Sequence, residues 1–180
     1  MYNARTAEII DIVDDENKVI GKASAEEVYK ERLNHRTVHV LVFNDIGELF
    51  LIKGSAQHAY CPGYWFSSAS GNVRHNETYE QAARRLLREW TGIETRIIPV
   101  YQGHYDHYKM RKFIKTFRAQ ADGKIPINPN LAIAGRWFSV PVVLEMIAKN
   151  EEVHPELAHI MEAIYSRATA EQAESSDIQY

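Results

Sequence analysis

One stretch of this chain, Gly71 to Ile93, constrains the fold more than any other, because it dictates a loop, a helix and a loop in fixed register. It opens on Gly71, passes through Asn72-Val73-Arg74-His75-Asn76 to Glu77, and after seven more residues reaches Arg85-Leu86-Leu87-Arg88-Glu89-Trp90-Thr91-Gly92-Ile93. Ala82, Ala83, Leu86, Leu87 and Trp90 recur at helical spacings, which predicts a helix from about Thr78 to Thr91. Gly92 stands where a glycine ends such a helix, and Gly71 is read as a turn that a Cβ would obstruct. Positions 86, 89 and 90 then fall together on adjacent turns, and of the three only Glu89 carries a carboxylate. Its simplest partner is Arg85, four residues earlier. Leu86 and Trp90 form an apolar i,i+4 pair with two readings. Either they extend the packed face of the helix, or Trp90 offers an aromatic platform to a base or an apolar ligand tail.

The 180 residues, 45% of them hydrophobic, suffice for one substantial core, and the chain is read as a single domain over 1–180. A net charge of −3 provides no broad basic field, so a nucleic-acid polymer is not an expected partner. The lone cysteine, Cys61, has no internal disulfide partner and reads as a small apolar filler. No apolar run approaches the roughly 18 to 20 residues of a membrane span, and the first residues lack the pattern of a secretory signal. The expectation is a cytoplasmic protein with no membrane contact.

Glu8–Val13 and Lys18–Lys22 are short β-prone runs around Asp14-Asp-Glu-Asn17, an opening hairpin; Ser24-Ala-Glu-Glu27 is a capping box starting a helix to about Asn34. Residues 1–35 thus form a hairpin-and-helix extension. A second hairpin joins Thr37–Phe43 to Glu48–Ile52, and Tyr64–Ser68 is predicted as a strand leading into the glycine loop. Strands follow at Thr95–Tyr101 and Met110–Arg118, then a polar loop over 121–130. A helix from Pro141 to about Lys149 and a last helix from Pro155 to about Ala168 come before a polar tail at 170–180.

The Gly71–Ile93 segment resembles the Nudix box, G-x5-E-x7-R-E-U-x-E-E-x-G-U with U aliphatic. Gly71, Glu77, Arg85, Leu87, Glu89, Gly92 and Ile93 match seven of its nine defined positions. Leu86 and Trp90 replace two of its glutamates. Beyond the box, Asp11–Gly21, His35-Arg-Thr-Val-His-Val40 and Phe43-Asn-Asp-Ile-Gly-Glu48 are similar to the Nudix subgroup related to type 1 isopentenyl-diphosphate isomerase, over roughly residues 8 to 165. The resemblance implies an α/β fold, the Nudix α/β/α sandwich, with a mixed sheet flanked by helices and the N-terminal hairpin as an extension.

The resemblance also implies a chemistry. Glu89 would hold Mg²⁺ or Mn²⁺, Arg85 would orient it, Gly71, Glu77 and Gly92 would shape the motif, and the ligand would be a small-molecule diphosphate. The activity implied is a pyrophosphohydrolase acting on a nucleoside-diphosphate-linked compound, at a reduced rate. Two alternatives stand beside it, a non-catalytic phosphate-ligand-binding protein and an isomerase-like protein; a homodimer is also expected. Against the isomerase, Ser70 and Asn72 stand where that family has a catalytic cysteine and a histidine, although His35 matches one of its metal-binding histidines. The segment His104–Phe117 is basic where an acidic strand would be expected, and Asn130-Leu131-Ala132 lacks another acid. Lys109, Arg111, Lys112, Lys115 and Arg118 read either as a charged edge strand or, for Arg111 and Lys112 together with Lys53, as positive charge for a diphosphate. His104, Asp106 and His107 are a further candidate metal set. Trp90 completes the candidate substrate-binding residues.

Overall fold

The computed structural model describes residues 8–56 and 60–176. It opens with an antiparallel hairpin, β1 (Ile9–Val13) and β2 (Val19–Ser24), and a short helix α1 (Ala25–Lys30). The Ser24 side chain accepts from the Glu27 backbone N–H, as its capping position predicts, but the helix ends at Lys30 rather than near Asn34.

A mixed sheet follows, built from β3 (His35–Phe43), β4 (Leu49–Gly54), β5 (Trp65–Phe66), β6 (Ala69–Asn72), β7 (Ile97–His107), β8 (Met110–Gln120) and β9 (Ala132–Phe138). β3 is its axis. It runs parallel to β8 from His35↔Lys112 to Phe43↔Gln120, and its other edge is shared. Next to the 44–48 turn β3 pairs with β4 at two positions only, Val42↔Phe50 and Phe43↔Leu49; further along it pairs with β6, from Val40↔Ala69 to Thr37↔Asn72. The predicted second hairpin therefore exists at its turn and then opens, with β4 passing to β5 and β9. The expected strand Tyr64–Ser68 is correspondingly divided. The chain leaves β4 after Phe66 and joins β3 at Ala69, and at the crossing the Ser68 hydroxyl donates to the Phe50 carbonyl while accepting from the Val42 N–H. A serine at that point satisfies two backbone groups that neither ladder reaches.

β3 is buried on both faces, as an interior strand of a covered sheet must be. Val38, Val40 and Val42 pack with Phe50, Ile52 and the apolar face of α2 (Tyr79–Thr91), where Ala82, Ala83, Leu86, Leu87 and Trp90 are buried. Leu41 and Phe43 point the other way, with Leu49, Leu51 and Ile114, and are covered by α3 (Val140–Ala148) and α4 (Pro155–Ser176). The result is the expected α/β arrangement of a mixed sheet between helices. α4 extends beyond the Ala168 end read from the sequence, and residues 177–180 of the expected tail lie outside the described residues. No helix among the described residues is long and apolar enough to cross a membrane.

Candidate functional site

α2 forms where the pattern places it because both ends are specified. Thr78 caps it, its hydroxyl accepting from the Gln81 N–H while the Gln81 side chain accepts from the Thr78 N–H, and Gly92 ends it at φ 68°. Gly71 is needed for another reason than a turn: a Cβ there would meet Leu86 Cδ2 at 2.8 Å, so the glycine makes room for the side chain that stands in place of a box glutamate. Leu86 and Trp90 are 3% and 2% exposed, inside the core shared with β3. Of the two readings for this pair, the structure places them in the packed face, so the ligand platform expected of Trp90 is not at the surface.

The charged residues of the box form one network. Glu77 accepts from Arg85 Nε at 2.7 Å and Nη2 at 2.8 Å and from the Arg74 backbone N–H at 2.9 Å, and Arg85 Nη2 also donates to the Asn72 carbonyl at 3.0 Å. Partial burial pushes the Glu77 carboxyl up, but the Arg85 fork and the Arg74 amide outweigh it and hold the group below the usual carboxylate range. Glu89 is half exposed and lies between two guanidiniums, 3.8 Å from Arg74 Nη2 and 3.6 Å from Arg85 Nη1.

A third acid completes the network from outside the box. Glu8, just before β1, lies 3.0 Å from Arg74 Nη2 and 4.0 Å from Arg85 Nη1. The N-terminal hairpin, read as an extension, is part of the site: Ile10 bridges to Arg74, the His75 N–H donates to the Ile9 carbonyl, and His75 Nδ1 meets Asp11 at 2.6 Å. Glu8, Arg74 and the Asp11–His75 pair were missed by reading the sequence. Their only signal was an acid at each end of an apolar β-run, with nothing to show which loop it would meet.

The chemistry of this set does not fit the divalent ion that the resemblance implies. Two of the three box positions are buried hydrocarbon, the remaining carboxylate faces two arginines, and among the described residues no group of three or more His, Cys, Asp or Glu side chains converges on one point. A hard cation needs several oxygen ligands free to turn toward it.

The opposite face of the sheet holds a second polar cluster. Lys112, expected in an edge strand, lies in β8 between β3 and β7; it is 6% exposed and donates to Glu156 Oε1 at 2.5 Å. Glu156 Oε2 is 3.0 Å from His39 Nε2, and His39 Nδ1 is 2.8 Å from Ser67 Oγ. A carboxylate only accepts, so His39 donates from Nε2 to Glu156, while Nδ1 faces the Ser67 hydroxyl. Burial opposes both charges, but Glu156 pushes the Lys112 ammonium upward and Lys112 with His39 holds the Glu156 carboxyl well below its ordinary range. His35, beside Lys112 across the parallel ladder, is fully buried with its Nδ1 2.9 Å from the Leu33 carbonyl, and burial lowers its pKa to about 4. His39, Ser67 and Glu156 were also missed by the sequence reading, although Lys112 alternates with Ile114 and Thr116 in the pattern of a buried face.

The other expected residues scatter. His104 to Phe117 is a hairpin of β7 and β8 rather than one strand, with Tyr108 and Lys109 in its turn. β7, not β8, is the edge. His104 and Asp106 share the exposed face 3.9 Å apart, whereas His107 packs on the other face against Tyr60 and Tyr105, so these three do not form a metal set. Arg111 is engaged by Asp106 at 2.7 and 2.9 Å, and Lys53 lies on β4 over the Trp65 ring with Glu152 at 4.0 Å; Lys53, Arg111 and Lys112 are not brought together. Ser70 and Asn72 lie on β6, Asn72 accepting from the Tyr29 hydroxyl. Cys61 is half-buried in a left-handed conformation, φ 52°, and burial pushes its thiol up.

The chain is similar to known proteins. An uncharacterized Nudix hydrolase of Nostoc sp. is 30% identical over 163 residues, covering 88% of this chain and 96% of its own. An isopentenyl-diphosphate Delta-isomerase of Burkholderia multivorans is 26% identical over 155 residues, covering 83% and 88%. Among solved structures, the Deinococcus radiodurans protein DR0079 is similar with a TM-score of 0.78 and 25% identity, over 88% of this chain and 99% of that one. The NUDIX domain pattern itself matches residues 33–162, and with this match, the loop–helix–loop, the Glu77–Arg85 fork and the mixed sheet, the chain belongs to the Nudix family.

Proposed function

We propose that this chain binds a diphosphate-linked small molecule, with nucleoside-diphosphate compounds as the first class to test, and hydrolyses it only slowly as a pyrophosphohydrolase. The observation that carries this reading is the burial of Leu86 and Trp90 beneath an otherwise intact loop, helix and loop. The framework that positions a diphosphate is kept, while two of the carboxylates that would support fast metal-assisted attack by water are gone. A lost acid–base group typically slows an enzyme by about 10²- to 10⁴-fold. Arg85 is committed to Glu77, which leaves it a positioning residue for the loop; Arg111 is held by Asp106, and Lys53 lies with Trp65 and Glu152 on the other face of the sheet, so neither supplies charge at the box. Lys112 leaves the proposal, because Glu156 closes its ammonium.

The alternative is binding with no turnover. A panel of nucleoside-diphosphate-linked compounds separates the two, with equilibrium binding and the two monophosphate products of P–O–P cleavage measured by chromatography with Mg²⁺, with Mn²⁺ and with EDTA. The expected result is binding that survives EDTA together with slow formation of both monophosphates. Rapid EDTA-sensitive turnover would overturn the reading, and binding with no cleavage at all would establish the non-catalytic alternative. Isopentenyl diphosphate should not be isomerised, because neither Ser70 nor Asn72 reproduces thiol and imidazole chemistry. A cytoplasmic location and a homodimer belong to the same reading and are checked by cell fractionation and sedimentation.

A further inference from the structure

We infer that Arg74 is a built-in cation of the box, holding Glu8 and Glu89 together and closing them to divalent metal. Three observations converge on it. First, one nitrogen, Arg74 Nη2, faces both acids, at 3.0 Å from Glu8 Oε1 and 3.8 Å from Glu89 Oε1, and Arg74 Nε adds a second bond to Glu8 at 3.1 Å. Two carboxylates on one cationic centre is the charge pattern a divalent ion would otherwise satisfy. Second, the guanidinium is anchored at its root: the Arg74 N–H donates to Glu77 Oε2 and the residue bridges to Ile10 of β1, so the backbone is tied to both the loop and the hairpin. Third, Arg85 Nη1 completes the enclosure, 3.6 Å from Glu89 and 4.0 Å from Glu8.

With Leu86 and Trp90 buried, a metal arriving here would meet two carboxylates and two guanidiniums and would be repelled by the latter. Glu8 has no place in the box pattern and is brought in by the N-terminal hairpin, outside residues 33–162 that the family pattern matches. The arginine side chain is 41% exposed, and a guanidinium fork suits phosphate oxygens. The same group that excludes metal therefore also presents a guanidinium to solvent.

The inference concerns the site of the proposed diphosphate reading but is tested without any phosphate ligand, so the two fail separately. Mn²⁺ is titrated into the full chain and followed by its electron paramagnetic resonance signal. Wild type should bind weakly, and Glu89→Gln should leave that weak binding unchanged, since the acid is not available to metal. Arg74→Gln should bind Mn²⁺ at least about tenfold more tightly by freeing two carboxylates, and adding Glu8→Gln should remove the gain. A folded Arg74→Gln protein with no gain overturns the inference. So does tight Mn²⁺ binding in wild type that Glu89→Gln abolishes, a comparison that stands even where Arg74→Gln does not fold.

Discussion

The two faces of the central sheet carry ion networks of similar composition and opposite character. On the α2 side, Glu8, Glu77 and Glu89 meet Arg74 and Arg85 near solvent, with contacts from 2.7 to 4.0 Å and two members close to half exposed. On the α4 side, Lys112, Glu156, His39 and Ser67 form a buried chain with contacts of 2.5 to 3.0 Å. The first network is loose enough to exchange partners with a ligand. The second fastens α4 to β8 and β3, and a ligand could reach it only by displacing buried charge. The difference teaches that charge at a candidate site is no guide to chemistry until its partners and its water are known.

Four measurements break or sharpen that contrast. The largest effect should come from Glu156→Gln, which leaves the Lys112 ammonium buried without its counter-charge; loss of about 3–5 kcal/mol is expected in urea unfolding, and a loss below 1 kcal/mol would erase the distinction between the faces. Replacing Lys112 and Glu156 together with apolar residues should recover much of that loss. Next comes acid. His35 stays neutral down to about pH 4 while the unfolded side chain takes its proton near 6.5, so the unfolded state binds more protons in that window and stability falls as pH drops through it, by roughly 3 kcal/mol. Glu156 acts in the same direction at lower pH: its contribution is complete above about 4.5 and is lost as pH falls below that. Thermal melts between pH 7 and about 2 should show both, and His35→Gln should flatten the upper part alone.

A smaller loss, about 1 kcal/mol, is expected for Thr78→Ala, which removes the cap of α2 without touching either network. The smallest is Glu89→Gln, whose half-exposed pairs should contribute no more than about 0.5 kcal/mol to stability. A Glu89→Gln protein that melts far below wild type would place the box network with the buried one.

The sequence was informative where the determinants are local. α2 has its cap, its apolar period and its glycine stop within fifteen residues of one another, and all three act as read. The 44–48 turn was equally legible, but the partner exchange it leads into was not, because the split at Ser67 and Ser68 depends on two backbone groups brought from β3 and β4. Lys112 and Glu156 are separated by 44 residues, and Glu156, just after Pro155, reads as an ordinary acid in a first helical turn. Glu8 and Arg74 are separated by 66. Local pattern shows which residues carry charge; only the assembled sheet shows which charges meet.

Gly71 and Leu86 interlock, and this limits what the helix can accept at positions 86 and 90. The isobutyl group of Leu86 fills the hollow over the glycine that a methyl group at 71 would need, and Trp90 lies one turn further on in the same core. Restoring Glu at 86 and 90 would supply the oxygen ligands that the pattern calls for, but it would set carboxylates into hydrocarbon and remove a large aromatic side chain, at a cost on the order of several kcal/mol. Neither substitution fits while the surrounding core stays as it is. Repacking would have to come first, so the identity of both positions is set by the core around them as much as by the helix that carries them.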